Sequence, residues 1–323
     1  MTPREIIAKA WAMTKNETQL RRWGFASALL ETLLSVKLLV YQAWFAYSYF
    51  VAGEPVGFFI IEETLFQYFP FTVALTIVIF IVVLIAIELI FPHFATGAII
   101  GLAAKSHLKQ EVKGGFVLAL YNFFPIFVLH ELFVLSGVST VITIASFVLR
   151  YGPGAEFNIF ILAILGFFFV FSIIFKFLAS FAEESVVIHK NGTFNAIGRS
   201  FKIIISHLGH MVFLLILLLV IMLRIVINVI MLLLIPGIVI GIALLLAQFL
   251  PPVISYSIGS IVGLALVGVA SYFFAYLTVF RQTVWTITYI ELSAQKDLDI
   301  IEDTNGSSEK IVSPVVEREN PAV

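Results

Sequence analysis

Charged and imidazole side chains are rare inside the apolar runs of this chain, so those that stand there are the first place to look for chemistry. His130, Glu131, Arg224, Asn228 and Lys37 form one group; Glu31, Glu88, Lys176 and Arg281 form a second. An ionisable group in hydrocarbon is costly and by default marks a substrate path or a proton relay. Counted from the ends where the runs share one side, Glu131 lies about 17 residues in and Arg224 about 15, at about 1.5 Å per residue. They are expected to meet near the far side of the core, with His130 and Asn228 close by and Lys37 slightly shallower. The second group lies within two to three turns of the entry face. Each group has a plain structural reading beside the functional one. Glu131 and Arg224 form a buried ion pair that fixes helix register, or a substrate or proton site, or make no contact at all, and Lys176 and Arg281 are shallow enough to snorkel to headgroups.

Motifs for covalent chemistry are missing. His130-Glu131 starts like a zinc-protease HExxH, but Val134 stands where the second histidine belongs. Glu183-Glu184 starts like EExxxR, but position 188 is Ile188. Gly137-Val138-Ser139 lacks the glycine that would complete a GxSxG elbow. Glu183, Glu184 and His189 are spaced five and six apart, which does not put them on one helical face, so no metal is expected. There is no cysteine, which excludes thiolate nucleophiles and thiolate-held metals. No Walker A sequence or dinucleotide fingerprint occurs, and no cofactor is expected.

The elements that must position these residues are membrane helices. The chain is 61% hydrophobic and 12% charged, with a mean hydropathy of +1.07. About 20 apolar residues cross the hydrocarbon, and such runs occur near 25–50, 69–92, 115–149, 157–182, 209–235 and 255–290. The third and sixth exceed one crossing; Ser136-Gly137 is a natural break in the third. The piece between Pro236 and Pro251 either extends the fifth helix or is re-entrant or interfacial. Lysines and arginines gather before the first run, between the second and third, between the fourth and fifth, and in the tail. The opposite loops hold only Arg150. By the positive-inside rule this is a multi-pass cell-membrane protein with both termini cytoplasmic. Trp23 and Trp285 then fall at cytoplasmic ends. The basic residues sit where topology puts them, so nucleic acid is not a partner; the lipid bilayer is, and other membrane proteins are candidates. The sequence does not fix the oligomeric state.

Two polar-apolar segments precede odd-numbered runs. Thr2-Pro3-Arg4-Glu5 is a capping box with proline at the first helical position, and Ile7, Ala10, Trp11 and Thr14 share a face. After the Asn191-Gly192 turn, Thr193 is the expected cap; Ile197, Phe201, Ile204, Ile205 and Leu208 line one face. Ile7-Ala8-Lys9-Ala10-Trp11 matches Ile197-Gly198-Arg199-Ser200-Phe201 by type, and Leu108 to Phe116 is a weaker third copy. Either the chain is three parallel units of interfacial helix plus hairpin, or any helix lying on anionic lipid reads this way. Ala196, Ile197, Arg199, Ser200 and Phe201, preceded by Glu184, Val187 and Asn191-Gly192, resemble a group of six-span prokaryotic membrane proteins that includes the membrane domain beside glycerophosphoryl diester phosphodiesterases. The resemblance reaches to about Ala294. It implies a fold and no activity, and the catalytic barrel of such fusions has no counterpart here.

The expected organisation is therefore all-α: a cytoplasmic amphipathic segment over 1–24, a six-helix transmembrane bundle over 25–294, and a polar tail over 295–323. From Lys296 the tail carries seven acids against three bases, net −4, and is expected to be disordered. Gly259 and Gly263 suit close helix packing. The leading expectation is a non-enzymatic scaffold or assembly factor for membrane components, chosen because no substrate path is evident. The alternative is a small transporter or channel with its polar site at Glu131 and Arg224; a lipid-modifying enzyme acting through Glu183, Glu184, His189 and His207 is third.

Overall fold

A computed structural model describes residues 1–53, 66–209 and 234–294, with single positions 212, 216 and 230. Among them there are helices and no strand. In chain order these are α1 (Pro3–Asn16), α2 (Thr18–Ala46, continued by a π-helical turn to Ala52), α3 (Phe71–His107), α4 (Gly115–Leu132), α5 (Val138–Tyr151), α6 (Ala155–Leu178), α7 (Ala182–His189), α8 (Thr193–Ser206), α9 (Leu234–Ala247) and α10 (Pro252–Ser293). Five helical stretches are long and apolar enough to cross a membrane. The expected fifth run, 209–235, with Arg224 and Asn228, lies almost wholly outside the described residues, as does the tail from 295.

The third run breaks after α4, at Phe133 to Gly137, around a short 3-10 turn, Val134–Ser136. Ser136 Oγ donates to the Phe133 carbonyl there, as the Ser136-Gly137 pair predicts. The second run does not end at Pro92. Proline is tolerated inside α3, where Thr96 Oγ1 donates to the Pro92 carbonyl at 2.9 Å, and the helix continues to His107. Its length of about 55 Å, and about 63 Å for the 42 residues of α10, exceed the roughly 30 Å of hydrocarbon.

Exposure explains the excess length. The first half of α3 shows bare apolar side chains such as Ile79, Phe80 and Ile90, whereas Ala95 and Gly97 to Ala104 are buried. α10 changes in the same way, from exposed Ile261 and Phe273 to buried Val279, Val284, Ile287, Tyr289 and Leu292. The main core gathers these buried ends with Ile6 and Ala10 of α1, Leu20 of α2, Phe181, and Ile203 and Ile204 of α8. The bundle thus has a packed collar at one end and helices with largely exposed apolar faces at the other.

α1 and α8 build into this collar rather than lying free. Both bonds of the Thr2–Glu5 capping box form. The buried face of α1 is Ile6, Ala10, Met13 and Thr14, rotated from the expected set: Trp11 is half exposed and meets Phe280 edge-on. In α8 the buried face is Ala196, Ser200, Ile203 and Ile204, while Ile205 and Leu208 are exposed. Gly192 rather than Thr193 occupies the cap. Ser200 joins α8 to the α6–α7 turn: its hydroxyl donates to the Leu178 carbonyl at 2.8 Å and accepts from the Phe181 N–H at 3.0 Å. No helix forms at 108–114, where Lys109 (φ 58°) and Gly114 (φ 81°) take left-handed conformations, so a third copy of the α1 type is absent there.

Close helix approaches fall at glycines. A Cβ on Gly101 would stand 2.8 Å from Leu118 of α4, and one on Gly263 would stand 3.1 Å from Val239 of α9. α9 and α10 therefore form a helical hairpin packed at Gly259 and Gly263. At the lipid-facing end, Arg150 donates to the Tyr41 hydroxyl at 2.5 Å, and its guanidinium sits 4.2 Å from the Phe45 ring centroid. Arg150→Met is expected to destabilise the bundle by about 1–2 kcal/mol, since a hydrogen bond and a partly desolvated cation–π contact are lost. A detergent unfolding midpoint unchanged from the parent would contradict this.

Candidate polar cavity

Polar residues collect on one face of several helices where the lipid-facing half of the bundle gives way to the collar. Ser27, Glu31 and Ser35 recur at four-residue steps on α2. Glu88, Pro92, His93 and Thr96 share a side of α3. Thr278, Arg281, Gln282 and Trp285 follow the i, i+3, i+4, i+7 spacing on α10. These faces, with His130 of α4, Lys176 and Ser180 at the end of α6, and Glu183 and Glu184 of α7, line a cavity of ≈ 570 Å³. That volume is within the range of small-molecule sites.

One ion pair braces the wall. Lys37 Nζ of α2 donates to both Glu88 oxygens of α3, at 2.6 and 2.8 Å. Glu88 is fully buried, while the Lys37 side chain keeps 38% exposure. Lys37 thus leaves the group in which the sequence puts it and joins the second one.

The imidazoles of His93 and His130 lie with ring centroids 4.2 Å apart. His130 interacts electrostatically with the basic side of the cavity, feeling His93, Lys176 and Arg281. Lys176, Glu183 and Arg281 also feel one another. Even so, among the described residues neither Lys176 nor Arg281 comes within 4 Å of a carboxylate oxygen, and neither does a cation reach Glu31 or Glu183. Glu184 is fully buried and accepts from Gln282 Nε2 at 2.9 Å through one oxygen.

The second polar group of the sequence, Glu31, Glu88, Lys176 and Arg281, is therefore brought together, with His130 and Lys37 from the first. Glu131 is not part of it. It stands on the penultimate residue of α4 and is not among the residues that line the cavity. Its expected partner Arg224, and Asn228, are outside the described residues. His93, Glu183 and Glu184 were not read from the sequence as members of this group. His93 directly follows Pro92, where the second run was expected to end, and lies inside the helix only because α3 continues to His107. The four-residue steps on α2 and the 278–285 stripe on α10 were the available signal.

His189 stays out of the cavity. Its Nδ1 pairs with the Tyr289 hydroxyl at 2.8 Å, and its Nε2 lies 3.4 Å from Arg199. Among the described residues no group of three or more histidine or carboxylate side chains is arranged to hold a metal. Trp23 and Trp285 are half-buried rather than lying free at an interface: Trp23 stacks on Phe91 and Trp285 meets Phe181 edge-on. No family model, curated protein or solved structure matches this chain.

Proposed function

We propose that this chain is a six-span membrane protein with both termini cytoplasmic, and that it binds a small polar ligand in the cavity as a transporter-type protein does. The observation that carries this reading is the cavity itself: ionisable side chains from six helices converge on one space between helices that otherwise face lipid. The scaffold expectation was chosen because no substrate path was evident, and a lined cavity removes that ground. Binding and movement of the ligand are assigned to the site, and no bond making or breaking.

The six-span topology is supported by the lysine and arginine distribution, with the run at 209–235 as the remaining crossing. It is further supported by the resemblance of 184–201 to the six-span prokaryotic group. A repeated unit is supported by α1 and α8. Both are 14 residues long, both ends are offset by 190 positions, and the same offset carries Ile6, Ala10, Met13 and Thr14 onto Ala196, Ser200, Ile203 and Ile204. With the collar on the cytoplasmic side, the cavity sits near the level of the cytoplasmic headgroups.

The chain contains no cysteine, so single cysteines report directly. Ser35→Cys and Thr278→Cys, both lining the cavity, are expected to react with a membrane-impermeant thiol reagent applied from the cytoplasmic side of inverted vesicles. Phe168→Cys, exposed in the middle of α6, is expected not to react. Cavity cysteines as inert as Phe168→Cys, from both sides, would sink the proposal.

A further inference from the structure

We infer that the ligand of this cavity carries a cationic and an anionic group together, as an ammonium–oxyanion zwitterion; this rests on the reading of the cavity as a ligand site. The argument is a comparison within one lining. Lys37 and Glu88 show what the bundle does with opposite charges that serve packing: they close to 2.6 Å with both carboxylate oxygens engaged. Lys176 and Arg281, and Glu31 and Glu183, line the same space, and among the described residues they stay beyond ion-pair distance of any partner. They are held on four different helices: α6, α10, α2 and α7.

Glu31, Lys176 and Arg281 are open at the cavity and Glu183 is partly buried, so water screens their mutual attraction and leaves them free to meet a ligand. A sequence selected only for stability needs none of the four, since exposed charges at this separation contribute little to it. Keeping them apart leaves a gap with a positive and a negative rim. A ligand with a single negative charge would satisfy Lys176 and Arg281 and leave Glu31 and Glu183 uncompensated. A single positive charge would do the reverse. A molecule with both charges answers both rims. Its oxyanion would take the planar guanidinium of Arg281, which suits carboxylate and phosphate oxygens, together with the Lys176 ammonium. Its ammonium would lie toward Glu183 and Glu31. Two sources supply this chemistry: the headgroup of phosphatidylethanolamine, which the position near the headgroup level favours, and a free solute such as an amino acid.

The test uses the purified full chain in detergent and calorimetric titration. The zwitterions glycerophosphoethanolamine and free glycine are compared with glycerophosphate as the anion alone and ethanolamine as the cation alone. At least one zwitterion is expected to bind about tenfold or more tightly than either half, the factor one charge-assisted hydrogen bond is worth. Arg281→Gln is expected to erase the advantage over ethanolamine, and Glu183→Gln the advantage over glycerophosphate. Nanodiscs of phosphatidylethanolamine against phosphatidylglycerol then separate the sources. Competition by the former assigns a lipid headgroup, and equal binding in both assigns a free solute. The inference is overturned if glycerophosphate or ethanolamine alone binds as well as the zwitterions. It is also overturned if none binds while Ser35→Cys and Thr278→Cys remain reactive, since the gap then holds water; unreactive cysteines would instead remove the ligand site itself.

Discussion

Lys37→Met is expected to lower the unfolding midpoint of the bundle more than any other single change at the cavity wall, and more than Glu88→Gln. The asymmetry follows from burial. Glu88 is fully enclosed and Lys37 keeps 38% exposure. Removing the lysine leaves a carboxylate with neither water nor a cation, which costs about 3–5 kcal/mol for an enclosed ion pair. Removing the carboxylate leaves a flexible ammonium that can turn toward the cavity, so a loss nearer 1–2 kcal/mol is expected. The double variant Lys37→Met with Glu88→Leu removes both charges and fills the space with similar volume. It is expected to return to within about 1–2 kcal/mol of the parent, because an apolar pair avoids the desolvation that the ion pair must offset. Additive losses in the double variant would show that the two side chains do not act as a pair.

Gly24→Val is expected to be the most damaging change in the packing of α2 against α10. A Cβ at Gly24 would overlap Val279 Cγ2 and stand 3.2 Å from the Ala275 carbonyl oxygen. Val279 is fully buried, and its branched side chain has few rotamers into which to retreat. The carbonyl belongs to helix backbone and cannot yield without bending α10. Overpacking typically costs about 1–3 kcal/mol, and this site belongs at the upper end. Gly24→Ala combined with Val279→Ala should recover part of the loss of Gly24→Ala alone, since the nearest obstructing methyl is gone. Gly198 of α8 is the contrasting control: a Cβ there meets nothing within 4 Å. Gly198→Ala is expected to leave stability unchanged or raise it by up to about 1 kcal/mol through helix propensity. If both glycines respond alike, close approach at Gly24 is not what limits the α2–α10 contact.

The membrane character was legible because it depends on run length and composition alone, and the break near Ser136-Gly137 because local chemistry announces it. The collar was not. Apolar content cannot separate a stretch that faces lipid from one that faces protein, so the second halves of α3 and α10 looked like membrane ends or loops. Their buried small residues, Ala95 and Gly97 to Ala104, are the sign of close helix packing and could have been weighted more heavily. On α1 the expected face of Ile7, Ala10, Trp11 and Thr14 keeps Ala10 and Thr14, while Ile6 and Met13 take the buried places of Ile7 and Trp11, because the helix turns its indole along the collar surface against Phe280. Counting depth from expected run ends then misplaced the polar residues. Once α3 is extended to His107, Glu88 stands about 28 Å from its C-terminal end at about 1.5 Å per residue, level with Lys37. The pairing of Lys37 with Glu88 and the meeting of His93 with His130 depend on that correction.

On the proposed reading, Lys176 and Arg281 serve a ligand and Lys37 serves stability. The most direct measurement is the detergent unfolding midpoint of the double variant Lys176→Gln with Arg281→Gln, set beside Lys37→Met. The double variant is expected to be as stable as the parent to within about 1 kcal/mol, because both side chains are exposed and neither comes within 4 Å of a carboxylate oxygen among the described residues. A loss as large as that of Lys37→Met would mean that Lys176 and Arg281 hold the bundle together, and would contradict the assignment of the cavity as a binding site.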